Sequence, residues 1–394
     1  MTMSKKIKIT LALLCLASIV RFSVAQEEIV ITKQTWALNE KPLPIAVSGF
    51  TGEVHNVIRF DLEVLGCKIV STNEAQFLVI GSNEGRVQGK LIDLISGTEL
   101  LSKAYSGGTL RLQAHALVND ITPFLPNRGK GIALTHIAFR ITRNGISEIY
   151  VSDYDGYNPR QVTSDASIAA APEWVPGQFA LFYVSYKGGG PDIYFHDLET
   201  GVRRAFARFP GVNTSPAVSP DGKRVAMILS KDGWTDLYTA PISGGELSRL
   251  TKSPEDESAP TWSPDGQWIC FAGKPRGHRA LCKIPSKGGE IQVMRIGAPS
   301  PTEPCWSPDG RWIAFTAQTR AGFDICIVPA SGGTATVLVP GEDPYWAPNS
   351  RTLIFTRREG DGSKLYLLDV PTKQVKDIPK YLPGEYSQPA WSRK

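Results

Sequence analysis

At 394 residues, 42% hydrophobic and 21% charged, the chain has the composition of a folded protein of one or two domains, which excludes a disordered or fibrous chain. Its formal charge of +5 is carried mostly by the first 25 residues, which hold Lys5, Lys6, Lys8 and Arg21 and no acid; beyond them 39 basic side chains face 38 acidic ones, without the clustered cations of a nucleic-acid surface. With 37 glycines and 29 prolines, turns are frequent and short strands are expected.

Residues 1–25 read as a secretory leader. Three lysines precede the apolar run Ile9–Val20, and Ser23, Val24 and Ala25 supply the small residues of a cleavage site after Ala25. The run is too short for a membrane anchor, which needs about 20 apolar residues. Next comes "QEEIVIT", Gln26–Thr32, a β-branched strand that is either free or paired within its own domain.

From residue 26 to about 130 the chain predicts a small α/β domain. "PIAVSGF" and "AQFLVIGS" are buried strands, "HNVIRFDLEVLG" and "LRLQAHALVNDITPFL" amphipathic helices, and "GKLIDLISGTELLSKAYSG" a hairpin.

A repeat governs residues 131–394. Trp174, Val218, Trp262, Trp306, Trp346 and Trp391 are spaced 44, 44, 44, 40 and 45 apart, each with a proline two residues earlier. A second register ends at Tyr150, Tyr194, Tyr238, Cys282, Cys326 and Tyr366, spaced 44, 44, 44, 44 and 40. "SPDG" turns, apolar strands and "SGG" or "KGG" turns make four strands per unit. Such units are propeller blades, with the tryptophans filling the seams. The first apolar second strand, "HIAFRI", has no proline–tryptophan strand before it, and the last such strand, "PAWSRK", has no successor. Each completes the other. The fold expected is mainly β: a six-bladed propeller closed by a C-terminal strand and preceded by the small α/β domain.

Cys67, Cys270, Cys282, Cys305 and Cys326 show no CxxC spacing. Cys270 and Cys282 flank Arg276 symmetrically and could face each other, but small hydrophobes at strand positions are the expected role. Asp153 and Asp155 before Gly156 begin like a calcium loop, yet Tyr157 occupies its fifth position and Ser164 its twelfth, so a polar hairpin turn is expected. Asp221, Asp265 and Asp309 are expected to bond their own turns. The five mature histidines, His55, His115, His136, His196 and His278, show no metal-ligand spacing, and no GxSxG occurs. Catalytic residues, cofactors and metals are therefore expected to be none. A hydrolase or lyase acting on peptides or glycans is the alternative.

Leader, α/β region and six-bladed propeller, together with "VSDYDGYNPRQVT" at Val151–Thr163 and the final "PAWS", resemble the TolB family of the Tol-Pal system of Gram-negative envelopes. The resemblance implies a periplasmic adaptor that supports outer-membrane integrity and constriction at division. It would bind the peptidoglycan-associated lipoprotein Pal on one propeller face and TolA by its N-terminal strand, with other envelope proteins as further partners. It would be peripheral to the outer membrane through Pal and would not span it. Matched by register, the implied Pal positions are Val212, Ser215 and Ser258, with Asn213 beside them; Val212 stands where histidine is expected in relatives. The implied TolA segment is Glu27, Glu28, Ile29, Val30, Ile31 and Thr32.

Overall fold

The computed structural model describes residues 39–393. The leader and the strand Glu27–Thr32 lie outside the described residues. The α/β region runs β1 (Leu43–Ser48), α1 (Gly52–Val64), β2 (Cys67–Ile69), β3 (Phe77–Ser82), β4 (Gln88–Asp93), β5 (Thr98–Ala104) and α2 (Leu110–Ile121). Its sheet has the order β2-β1-β3-β4-β5; β1 is parallel to β2 and β3, and the last three strands are antiparallel. Val54, Val57, Ile58, Asp61 and Leu62 recur at helical spacing and form the buried face of α1. Thr109 caps α2 by accepting the Leu112 N–H at 3.2 Å. Within the described residues the predicted strands, helices and hairpin of this region are present, and the short edge strand β2 is an addition.

Six four-stranded antiparallel sheets follow. Their inner strands are Ala169–Trp174, Asn213–Val218, Ser258–Trp262, Pro301–Trp306, Glu342–Trp346 and Glu385–Trp391, and they number blades 1 to 6. Blade 6 is assembled from both ends of the repeat region. Glu385–Trp391 pairs with His136–Arg143, with Tyr386 opposite Ile141 and Trp391 opposite Ile137. The closing strand thus begins four residues before "PAWSRK".

Three of the five repeat tryptophans share one seam bond, while Trp306 donates to Gly310 of its own blade. The indole N–H groups of Trp174, Trp262 and Trp346 donate to the carbonyls of Ala390, Ala217 and Cys305, each on the inner strand of the preceding blade. Trp391 is fully buried, donates to Thr135 Oγ1 at 2.7 Å and stacks on Tyr154 at 6.0 Å. One hydrophobic core therefore joins Val54, Leu62, Leu117 and Val118 of the α/β region to Phe139, Tyr154, Ile354 and Trp391 of the propeller.

The turn chemistry is as expected. In three blades Ser219, Ser263 and Ser307 donate to Asp221, Asp265 and Asp309 of their own turns. All five described cysteines are buried and free. Cys270 pairs with Lys283 and Cys282 with Phe271, so the two thiols project from opposite faces of the hairpin and do not face each other.

Candidate functional site

Two polar assemblies stand out, one between the α/β region and the propeller and one in the propeller channel. In a four-stranded meander the first and third connections leave one end of the blade, and the second connection and the link to the next blade leave the other. The hydrogen bonds and ion pairs that the α/β region makes with blade turns fall on turns of the first kind, and the blade 5 link adds Tyr381 near Arg111. Asn39 and Glu40 donate their N–H groups to the Pro371 carbonyl, Arg351 reaches Glu40, and Tyr154 and Asp155 reach the helices. The opposite mouth, where the chain enters each inner strand, is left uncovered by it.

At the covered end the motif "SDYDGYN" meets both helices. Tyr154 donates its hydroxyl to Asp61 of α1, and His115 of α2 stands between two carboxylates, 2.8 Å from Asp61 Oδ2 and 3.5 Å from Asp155 Oδ2. Arg111 pairs with Asp155 and lies 4.1 Å over the Tyr157 ring. Burial opposes a charge on His115, but Asp61 and Asp155 outweigh it and hold the imidazole protonated, with its pKa pushed up to about 10. Burial holds the Asp61 carboxyl above its usual range, whereas at Asp155 the His115 and Arg111 charges outweigh burial and hold the carboxyl below it, so two carboxyls and two cations are packed together as partners.

A second cluster lies beside it. Glu40 accepts from Arg128 at 2.6 Å and from Arg351 at 3.0 Å, while Arg351 also grips Asp369 at 2.5 and 2.9 Å. Both guanidinium groups are buried. Gly66, at φ 74°, leaves the space for this pair: a Cβ there would sit 2.4 Å from Asp369 Oδ2. The turn expected at Asp153–Gly156 is present, but Asp155 is not a solvated turn residue. It is buried as an anchor of the junction. Asp61 and His115 in the middle of apolar helix faces were the sequence signal for it, since a buried charge requires a partner.

The channel is a cavity of about 470 Å³ lined by the inner strands. In every blade the residue before the repeated proline adopts a left-handed backbone: Ala171, Ser215, Ala259, Glu303, Asp343 and Gln388 have φ between 49° and 56°. The ladder skips that residue and its proline in all six blades, as where Thr214 pairs with Ile228 and Ala217 with Ala226. Proline has no N–H, so a bulge is the position where it forfeits no ladder bond. Side chains then link neighbouring blades around the ring. The Asp343 N–H donates to Glu303 at 3.1 Å, the Gln388 N–H to Asp343 at 3.0 Å and the Ala171 N–H to Gln388 at 2.9 Å.

Burial, together with the nearby Asp343 charge, pushes the Glu303 carboxyl up to about 7. Burial likewise pushes Glu173 up to about 7, against the opposing pull of Arg393 and a 3.0 Å bond from the Tyr345 hydroxyl. Among the described residues no three His, Cys, Asp or Glu side chains are grouped to hold a metal ion. Among them, too, no helix is long and apolar enough to cross a membrane.

The predicted positions separate here. Ser215 and Ser258 line the cavity on adjacent inner strands. Val212 is half-buried at the rim, its N–H bonded to Ser230 Oγ at 2.7 Å. Asn213 is fully buried: its amide donates to the Phe209 and Pro191 carbonyls and accepts the Phe209 N–H. It shapes the loop and presents no side chain to a partner. Missed by the sequence reading were exposed apolar groups on this same end, Ile146, Ile168, Tyr186 and Trp234. Ile168 and Tyr186 are tied by a 2.9 Å main-chain bond, and Ile168 bridges to Ser147 beside Ile146.

Comparison with known proteins accords with this architecture. A solved TolB from Acinetobacter baumannii superposes with a TM-score of 0.82 over 90% of this chain and 98% of that one, at 22% identity, and a putative TolB from Agrobacterium tumefaciens with 0.51 over 64% and 91%, at 21%. Among curated relatives, the Tol-Pal system protein TolB of Polaromonas sp. (strain JS666) is 31% identical across 44% of this chain and 48% of its own length. That of Desulfosudis oleivorans is 30% identical across 42% and 39%. The chain spans less than half the length of these relatives, whose names are those of a Tol-Pal component and not of a hydrolase or lyase. The family described as the TolB beta propeller domain matches residues 127–394, which include all six blades, and the chain belongs to that family.

Proposed function

We propose that this protein is a non-catalytic periplasmic adaptor of the Tol-Pal system. Exported through cleavage near Ala25, it holds the lipoprotein Pal on the uncovered propeller mouth and donates the strand Glu27–Thr32 to TolA, linking the two membranes at constriction. The observation that carries this reading is the mouth itself. Opposite the α/β region, it gathers Ser215, Ser258 and the rim residue Val212 beside exposed Ile168, Tyr186 and Trp234. An apolar, solvent-facing patch around a polar recess is what a protein partner buries. The curated relatives' names supply the Tol-Pal context. A boundary near residue 130 belongs to the same reading and is supported by the family match beginning at residue 127.

The test is retention of envelope lipoproteins on the immobilised protein. Pal is expected to be retained by the wild type and released by Ser258→Arg, which puts a bulky cation on the channel wall. Failure to retain Pal would remove the assignment. For TolA, deleting residues 26–32 is expected to abolish binding while circular dichroism remains unchanged; undiminished binding would refute strand donation.

A further inference from the structure

We propose that the mouth carries three open main-chain donors, the N–H groups of Ser215, Ala259 and Glu303, which receive neutral hydrogen-bond acceptors from a partner loop. This rests on the mouth being the partner-binding face. The six left-handed residues are equivalent in backbone and in register, so their N–H groups share one direction, out of the ladder and toward the preceding blade. On one arc the preceding blade answers them: Glu303 and Thr316 accept from Asp343, Asp343 accepts from Gln388, and Gln388 accepts from Ala171.

On the other arc the same two positions carry different side chains. Opposite Ser215 stand Ala171 and Val184, opposite Ala259 stand Ser215 and Ile228, and opposite Glu303 stand Ala259 and Ala272. Ala, Val and Ile cannot accept a hydrogen bond, the Ser215 hydroxyl makes none to Ala259, and among the described residues no side chain accepts from these three amides. All three residues are half-buried on the channel wall, so a partner loop that displaces the channel water has to supply acceptors for their amides. The open arc is also the one bearing Ser215, Ser258 and the apolar rim of Ile168, Tyr186 and Trp234, so a loop entering there would be held by both.

The acceptors are neutral because the recess disfavours ionised carboxyls. Glu173, Glu303 and Asp343 line the same channel with Arg140 and Arg393, and burial raises all three carboxyls above their usual range, so an arriving carboxylate would meet the same penalty. Main-chain carbonyls or amide side chains are therefore the matching chemistry.

Substitutions can close the arc from within. Ala259→Asn puts an amide oxygen where Glu303 N–H points, as Asp343 does for Gln388, whereas Ala259→Gly leaves that donor open and relieves the same backbone. With purified, lipid-free Pal as the probe, the asparagine variant is expected to bind about tenfold more weakly and the glycine variant within about twofold of wild type. Ala171→Asn, which offers its oxygen to Ser215, is the second closing variant. Amide hydrogen exchange on the wild-type complex provides the direct readout: Ser215, Ala259 and Glu303 should slow by about tenfold or more on binding, while Ala171, Asp343 and Gln388 are protected already. If wild type binds Pal but those three amides do not slow, or the asparagine and glycine variants bind alike, the donor assignment falls and the partner assignment stands. If wild type does not bind Pal, the partner assignment itself falls.

Discussion

Trp391→Ala should cost the protein both its ring closure and its grip on the α/β region. The side chain is fully buried, stacks on Tyr154 and bonds Thr135 Oγ1. Burying a tryptophan removes roughly 150–250 Å² from water, worth about 4–6 kcal/mol at ~25 cal/mol per Å². Measured tryptophan truncations cluster at about 3–5 kcal/mol, and the indole bond contributes about 1. We expect a loss of about 5 kcal/mol. Tyr154, left without its stacking partner, is also the residue that bonds Asp61, so the junction should loosen with the seam. Urea unfolding followed by tryptophan fluorescence and far-ultraviolet circular dichroism would read both effects: a lower midpoint, and separate transitions where wild type has one. Trp391→Phe keeps the stack but not the bond and should lose only about 1–2 kcal/mol. Trp234→Ala, at a residue 54% exposed, should shift stability by less than about 0.5 kcal/mol. A loss below about 1 kcal/mol for Trp391→Ala would show that the closing strand does not carry the ring.

The junction also predicts a pH dependence. His115 titrates near 6.5 when unfolded and is pushed up to about 10 when folded, so its contribution is complete below pH 6.5 and fades as pH rises toward 10. The urea midpoint of wild type should fall across that window relative to His115→Gln, and parallel curves would rule out the imidazolium. At Ala259, φ is 49°, which disfavours any Cβ; Ala259→Gly should raise stability by about 0.5–1 kcal/mol, measured by thermal melting, and no gain would mean the bulge is unstrained. Asn213→Ala leaves the Phe209 N–H and two carbonyls without their partner and should cost about 1–3 kcal/mol in urea unfolding; an unchanged midpoint would make the loop independent of its asparagine.

The architecture was legible because its signals are local. Proline–tryptophan spacing, "SPDG" turns and alternating apolar strands each report on a few consecutive residues, and their recurrence counted the blades. Even the closure was readable, since "HIAFRI" without an inner strand and "PAWSRK" without a successor complete each other. The positions lining the mouth followed from the same register. Asn213 did not: next to a predicted contact in sequence, it turns inward because the main-chain groups of Phe209 and Pro191 take up its amide.

What the sequence by itself determined was thus the repeat, the blade count and the order of elements. Only the tertiary structure decided which charges meet. Asp61, Arg111, His115 and Asp155 come from two helices and a propeller turn, and no spacing along the chain announces that they pack together as partners. Nor does a repeat of identical bulges say that Glu303, Asp343 and Gln388 satisfy their neighbours while Ala171, Ser215 and Ala259 do not. Propensity and turn chemistry act between residues close in sequence, whereas a buried charge or an unpaired N–H is resolved by whatever the closed ring brings opposite it.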